Sequence, residues 1–286
     1  MRLHAIFPQT EIGSDPAVIA RFIRDIEAMG FDGLVAYDHV LGADPARPGW
    51  SGPYTVDTPF HEVMVLFSFA AAITARLELS TGVLILPQRQ TALVAKQAAA
   101  IDVFSAGRLR LGVAVGWNWV EFDALGMNFK DRGKRVEEQI ALLRRLWTEP
   151  SVTFEGKWHH VDRAGINPLP VRRPIPLWMG ADSEPGIRRA ARLADGFFGH
   201  FAPTDEGAAG AAAYWEWVKA AGRDPTDVGL ECRMGAKMTD DELARAAERF
   251  AAMGATDLEC NTMRAGFRSP DEHLAAYRRF KERVTA

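Results

Sequence analysis

Residues 3–37, LHAIFPQTEIGSDPAVIARFIRDIEAMGFDGLVAY, contain the pattern of a strand, a helix and a second strand. The apolar runs 3–7 and 33–37 predict the two strands. Between them, Ser14-Asp15-Pro16 is typical of a helix N-terminus, and Gly30 is typical of a helix end. This order predicts a βαβ unit, in which the two strands lie parallel.

The same pattern recurs along the chain. The predicted strands cover residues 3–7, 33–37, 77–86, 109–115, 175–179, 196–201, 229–236 and 256–261. The predicted helices after the first cover residues 61–75, 91–104, 132–147, 184–193, 205–221, 240–253 and 270–284. Eight such repeats predict an α/β fold, a single (β/α)8 TIM barrel over residues 1–286. An open doubly wound sheet is the alternative, but the first strand-to-helix turn has no GxGxxG fingerprint.

Two insertions interrupt the repeats. The long Gly/Pro-rich stretch 42–59 is predicted to be a loop that covers a site, because long loops in small domains are often functional. Alternating residues at 152–161, with Gly156 in the middle, predict a β-hairpin.

Composition excludes several classes of protein. Nucleic-acid binding normally needs a cluster of basic residues on one face, and a net charge of −3 does not indicate one. No nucleic-acid partner is therefore expected. Cys232 and Cys260 form no CxxC pair, which argues against a disulfide framework or a structural zinc site. No apolar run reaches the roughly 20 residues that span a membrane, and the N-terminus does not read as a signal peptide. We therefore expect a cytoplasmic protein with no membrane partner.

Residues that follow the barrel strands are the first place to look for chemistry, because TIM-barrel active sites lie at the carboxyl ends of the strands. His39 follows the second predicted strand beside Asp38, where an imidazole can transfer a proton at neutral pH. A capping or solvent-facing histidine is the alternative interpretation.

Two further loops carry candidate binding residues. Gly180-Ala181-Asp182-Ser183 joins a strand to a helix, where free backbone N–H groups bind phosphate. A simple helix cap by Asp182 or Ser183 would explain the same residues. Gly116-Trp117-Asn118 offers a flat apolar wall and an amide to a planar ligand. Trp119 and Phe122, three residues apart, are predicted to pack a short helix on the barrel.

The histidines give little support to a metal site. His4, His39 and His200 all fall on or near predicted strands, but no HxH or HExxH spacing joins them. His159 and His160 are adjacent on the predicted hairpin and point to opposite faces. We predict no metal, and a metal-dependent barrel hydrolase is a minor alternative.

These motifs together resemble the bacterial-luciferase-like superfamily, within it the oxidoreductases that use the deazaflavin coenzyme F420. The resemblance covers about residues 1–200. It rests on Gly30-Phe31-Asp32-Gly33 with Asp38-His39, Ser80-Thr81-Gly82-Val83, the run 107–113 with Gly116-Trp117-Asn118, the helix 132–147, and Pro176-Leu177-Trp178-Met179-Gly180.

The resemblance implies roles for individual residues. Asp38 and His39 resemble the pair beside the deazaflavin ring, where the histidine transfers a proton or anchors the redox-active edge of the ring. His39 is therefore the implied catalytic residue. Gly82-Val83 resembles the site of a non-proline cis peptide under the ring. The remaining implied cofactor contacts, along the ribityl chain and phosphate, are Gly116, Asn118, Gly180, Ala181, Asp182 and Ser183, and Trp117 is the predicted aromatic contact.

Two departures from the family pattern narrow the expected function. Val115 stands where luciferases proper have a phosphate-binding arginine, which weakens an FMN assignment. Trp117 stands where the F420-dependent sugar-phosphate dehydrogenases have a glutamate, so that substrate is not supported. Trp50, Tyr54, Trp117 and Phe201 instead suggest a less polar small-molecule substrate.

The resemblance therefore implies hydride transfer between F420 and a small organic substrate. One alternative is an FMN-dependent monooxygenase that works with a separate reductase. An alternative of another class is a non-catalytic cofactor-binding or dimer-partner protein. Family analogy favours a homodimer.

Overall fold

Eight parallel strands form a closed barrel in the computed structural model, which describes residues 1–285. The barrel strands are β1 (Arg2–Ile6), β2 (Gly33–Ala36), β3 (Glu78–Thr81) continued by β4 (Leu84–Ile85), β5 (Leu109–Ala114), β8 (Leu177–Gly180), β9 (Gly196–Gly199), β10 (Gly229–Gly235) and β11 (Asp257–Asn261). Their parallel pairing confirms the predicted (β/α)8 TIM-barrel fold.

Helices connect the strands and surround the barrel. They are α1 (Pro16–Ala28), α2 (Val63–Ile73), α3 (Thr91–Phe104), α4 (Trp119–Ala124), α5 (Arg132–Thr148), α6 (Glu184–Leu193), α7 (Asp205–Ala220), α8 (Asp240–Ala252) and α9 (Pro270–Val284). The insertion 152–164 is the predicted hairpin, with β6 (Val152–Glu155) antiparallel to β7 (His160–Ala164). Within residues 1–285, no helix has both the length and the apolar composition needed to cross a membrane.

The third barrel strand differs from the prediction of one continuous strand over residues 77–86. It divides at the cis peptide bond between Gly82 and Val83, and a 3₁₀ turn at Leu86–Gln88 follows β4. The first half closes the barrel, because Leu79 and Ser80 pair with Leu109 and Arg110 of β5. The second half pairs farther along β5, at Val113 and Ala114. The break thus redirects the chain at the carboxyl end of the barrel.

Apolar and charged residues alternate along β10 and β11, and each kind faces one side of the barrel wall. In β10, Leu230 and Cys232 belong to the apolar core that packs against the helices. Between them Glu231 faces the barrel interior, where its carboxylate accepts a hydrogen bond from Arg110 at 2.7 Å. The interior is therefore charged rather than filled by branched apolar side chains.

His4 lies deep in this charged interior. Its Nδ1 is 2.6 Å from Glu231 Oε1, and its Nε2 is 3.3 Å from Asp257 Oδ1. The guanidinium of Arg110 lies among the same groups, 3.2 Å from Asp257 Oδ1. Arg110 thus supplies the positive charge that these buried carboxylates need.

Candidate functional site

The loops at the carboxyl ends of the strands enclose a cavity of about 380 Å³. This volume is within the usual range for a small-molecule or cofactor site. Residues at or just after the ends of β2, β3, β5, β8 and β9 contribute to it. The predicted site residues that line the cavity are Asp38, His39, Gly82, Val83, Gly116, Trp117, Gly180, Ala181, Asp182 and Ser183.

Asn118 is the predicted site residue that does not line the cavity. Its side chain is buried, accepts a hydrogen bond from Val120 N at 3.2 Å and donates one to Leu41 O at 3.3 Å. It therefore caps α4 and holds the beginning of the long loop, a task that uses both its oxygen and its nitrogen.

His39 is held at the cavity by the buried carboxylate of Glu121. The distance from His39 Nδ1 to Glu121 Oε1 is 3.3 Å, and the same oxygen accepts hydrogen bonds from Val40 N and Leu41 N at 2.7 and 3.1 Å. Burial alone would raise the pKa of Glu121, but hydrogen bonds, first from His39, lower it below its ordinary value. Glu121 is thus an ionised acceptor that fixes the orientation of the imidazole.

The buried carboxyl group of Asp38 holds the cavity wall through hydrogen bonds to neighbouring segments. Its carboxylate accepts hydrogen bonds from Ile85 N at 3.0 Å and from Arg89 at 2.7 Å, and only 1% of its side chain is exposed. Burial raises the pKa of Asp38, although Arg89 opposes the shift. The carboxyl group therefore connects the end of β2 to β4 and positions both.

Two predicted glycines lie where a side chain would crowd its neighbours. Gly116 has a φ of 75°, and a Cβ there would lie 2.5 Å from Ile85 Cγ2. A Cβ on Gly180 would lie 3.2 Å from Val83 Cγ1. Both positions keep a narrow slot open beside the turn at Val83.

The N-terminus of α6 opens into the cavity. Ser183 is the N-cap residue, but its side chain makes no capping hydrogen bond. Asp182 does not cap the helix either, because its carboxylate is 2.5 Å from His200 Nδ1, a contact that lowers the pKa of Asp182. Pro185 has no N–H, and the Ile187 N–H donates to Ser183 O, so the N–H groups of Glu184 and Gly186 are the ones in this turn that can meet an anion, as the phosphate interpretation requires.

Several cavity residues have no counterpart in the predicted site. They include Tyr37, Ile85, Ala114, Met179, Gly186, Arg189, Phe198 and Arg233. Arg189 lies in the second turn of α6, a position that the strand-end criterion does not select. Arg233 lies inside the predicted strand 229–236, and the signal that could have identified it is a charge among apolar residues.

Aromatic residues form the mouth of the cavity. The ring centre of His39 lies 4.8 Å from that of Tyr54 and 5.5 Å from that of Trp117. The ring centres of Trp50 and Trp117 are 5.7 Å apart. The loop 42–59 therefore covers the site, as its length predicts. Phe201 differs from the prediction, because it packs on Phe197 and faces a neighbouring cavity.

The short helix α4 agrees only in part with the predicted packing. Phe122 is fully buried, whereas Trp119 is 36% exposed and stacks under Arg47, 4.8 Å from its guanidinium carbon.

The three histidines of the alternative metal site have separate partners. His4 contacts Glu231, His39 contacts Glu121, and His200 contacts Asp182.

Comparison with known proteins identifies the family. Residues 3–284 match the model of the luciferase-like monooxygenase family. The chain belongs to this family. The luciferase-like barrel thus accounts for nearly the whole chain, beyond the first 200 residues on which the sequence resemblance depended.

Similar proteins use different cofactors. An uncharacterized protein of Mycobacterium tuberculosis is 34% identical over 200 residues, 67% of this chain and 68% of its own length. An F420-dependent glucose-6-phosphate dehydrogenase of Nakamurella multipartita is 31% identical over 64% of this chain and 51% of its own length. An FMNH2-dependent dimethylsulfone monooxygenase of Pseudomonas fluorescens is 35% identical over 49% of this chain and 39% of its own length.

Solved structures agree with the fold of this luciferase-like protein. An F420-dependent secondary alcohol dehydrogenase, in complex with an F420-acetone adduct, superposes with a TM-score of 0.80. It is 16% identical, and the match covers 99% of this chain and 98% of the other.

The role of Glu121 predicts a pH-dependent effect on stability. Because its pKa in the folded protein lies below the ordinary 4.5, its stabilising contribution is present above pH 4.5 and is lost as the pH falls through the lowered pKa. Glu121→Gln should lower the free energy of unfolding at pH 7 by about 1.5–3 kcal/mol. The difference from wild type should shrink in acid, as followed by urea denaturation.

A second glutamate–histidine pair provides the control. Glu155 lies 2.6 Å from His160 on the hairpin, with both side chains exposed. Glu155→Gln should change stability by less than about 0.5 kcal/mol at every pH. An equal, pH-independent loss in Glu121→Gln and Glu155→Gln would contradict the assigned role of Glu121.

Proposed function

We propose that this protein is an oxidoreductase that binds coenzyme F420 in the cavity and moves a hydride between the cofactor and a small organic substrate. The observation that carries the proposal is that one cavity joins a carboxylate-held histidine to an open helix N-terminus. A redox cofactor with a flat ring and a phosphate needs both an apolar slot and an anion site.

The shape and polarity of the cavity fit such a group. Val83, Met179 and Phe198 provide apolar walls, and Gly116 and Gly180 keep the slot open where a Cβ would fill it. The first turn of α6 would hold the phosphate through its N–H groups. When bound, the deazaflavin supplies the hydride donor or acceptor, which no amino-acid side chain provides.

The residues of the chain orient the reactants and handle the proton. Glu121 accepts a hydrogen bond from the Nδ1–H of His39, so Nε2 is the nitrogen that accepts or donates a proton in the cavity. Tyr54, Phe60 and Trp117 contact this imidazole and leave only 10% of the His39 side chain exposed. His39 is therefore assigned as the catalytic acid or base, and Glu121 as its positioning residue.

Substitution of the histidine tests this assignment. His39→Ala should keep its affinity for F420, measured by fluorescence quenching, within about threefold of wild type. Turnover across a panel of alcohols and ketones should fall by about 10²–10⁴-fold, because general acid–base catalysis is lost. His160→Ala, on the exposed hairpin, is the matched control and should leave both unchanged. Undiminished turnover in His39→Ala would remove His39 from the mechanism.

An FMN-dependent monooxygenase is the second candidate function, favoured by the 35% identity to the P. fluorescens enzyme. Reduced flavins activate oxygen, whereas reduced deazaflavins do not. The F420 proposal predicts quenching by F420 and no stimulation of oxygen consumption when reduced FMN is supplied. Substrate-dependent oxygen consumption with reduced FMN, without F420 binding, would establish the second candidate instead.

A further inference from the structure

A second cavity, of about 520 Å³, lies directly beside the first. The two cavities share His200 and Arg233. The other residues that line the second cavity lie at or just after the ends of β9, β10 and β11, the sixth, seventh and eighth strands of the barrel. In TIM barrels, loops after the seventh and eighth strands frequently bind phosphate.

The second cavity carries an excess of positive charge. Arg233 is paired with the buried carboxylate of Glu259, but Lys237 and Arg264 also line the cavity. Neither of these two makes an ion pair within 4.0 Å of a carboxylate in the part of the chain that the structure describes. No aspartate or glutamate lines the cavity. Two positive charges there are left without a protein counterion.

Arg264 also connects the cavity to the loop that covers the active site. Its guanidinium donates a hydrogen bond to Pro53 O at 2.6 Å and lies 5.0 Å from the ring centre of Tyr54. The Arg264 backbone N–H donates to Glu11 Oε1 at 2.9 Å. One guanidinium N–H is thus committed to the loop, and the rest of the planar donor set is free for a ligand.

We propose that the second cavity binds an anionic oxygen group, a carboxylate or a phosphate, of the substrate. Arg264 and Lys237 hold this group, and the remainder of the substrate extends past His200 and Arg233 into the first cavity. Guanidinium and ammonium groups recognise both anions through charge-assisted hydrogen bonds. The cofactor phosphate has a separate place at α6, which leaves this second anion site to the substrate. The assignment to the substrate rests on the proposed function, whereas anion binding itself does not.

Calorimetric titration of the full-length protein without cofactor tests anion binding. The probes are benzoate, phenyl phosphate and the neutral benzyl alcohol. At least one of the two anions should bind at least ten times more tightly than the alcohol. The anion that binds more tightly shows whether the site prefers a carboxylate or a phosphate. Lys237→Met and Arg264→Met should each weaken that binding about tenfold or more. Arg268→Met, an exposed arginine of the same loop outside the cavity, should leave it unchanged.

The same titration with saturating F420 separates the two sources of the anion. Anion affinity that F420 leaves intact supports a substrate group, and competition between F420 and the anion would overturn that assignment. Equal binding of anions and alcohol, or unchanged binding in the Lys237→Met/Arg264→Met double variant, would overturn the site itself. Failure of F420 to bind would remove the proposed function, whereas anion binding that both substitutions weaken would still establish the anion site.

Discussion

Closure of the barrel between β3 and β5 is the constraint on which the rest of the structure depends. Parallel strands that close into a ring bring all their carboxyl ends to one rim. Residues separated by more than 140 positions, such as His39 and Ser183, therefore line one cavity. The break at Gly82–Val83 lies at this rim, so the third strand both closes the barrel and turns its second half toward the cavity.

Buried ion pairs fill the barrel interior below that rim. Arg110 is compensated by Glu231 and Asp257 at the lower end of the interior, and Arg233 is compensated by Glu259 above it. Removing one member of such a buried set leaves its partner unpaired at a cost of about 3–5 kcal/mol. The interior charges are therefore mutually dependent, and one of them, Arg233, lines both cavities.

Much of this arrangement could be predicted from the sequence, for a topological reason. The strand periodicity of the runs 3–7 and 33–37 and the helix-terminal signals of Ser14-Asp15-Pro16 identify elements locally. Eight repeats imply a barrel, and barrel topology places the residues that follow each strand at one rim. No knowledge of individual contacts is needed for this step. His39, Gly116 and Ser183 were located by this criterion.

Other features depend on contacts that periodicity does not encode. Both faces of a barrel strand are buried, so alternation alone does not reveal that Arg233 points inward. Asn118 follows a strand as a ligand-binding residue would, but its amide caps α4 instead. Arg189 reaches the cavity from the second turn of a helix, and Phe201 turns to the neighbouring cavity. These outcomes are set by packing between distant segments.

A crystal structure of the protein in complex with F420 would show directly whether the first cavity holds the cofactor. We expect density for the deazaflavin ring in the slot between Val83 and Trp117, near His39, and for the phosphate at the first turn of α6. Density for the cofactor in the second cavity or elsewhere on the surface, with the first cavity empty, would contradict this expectation.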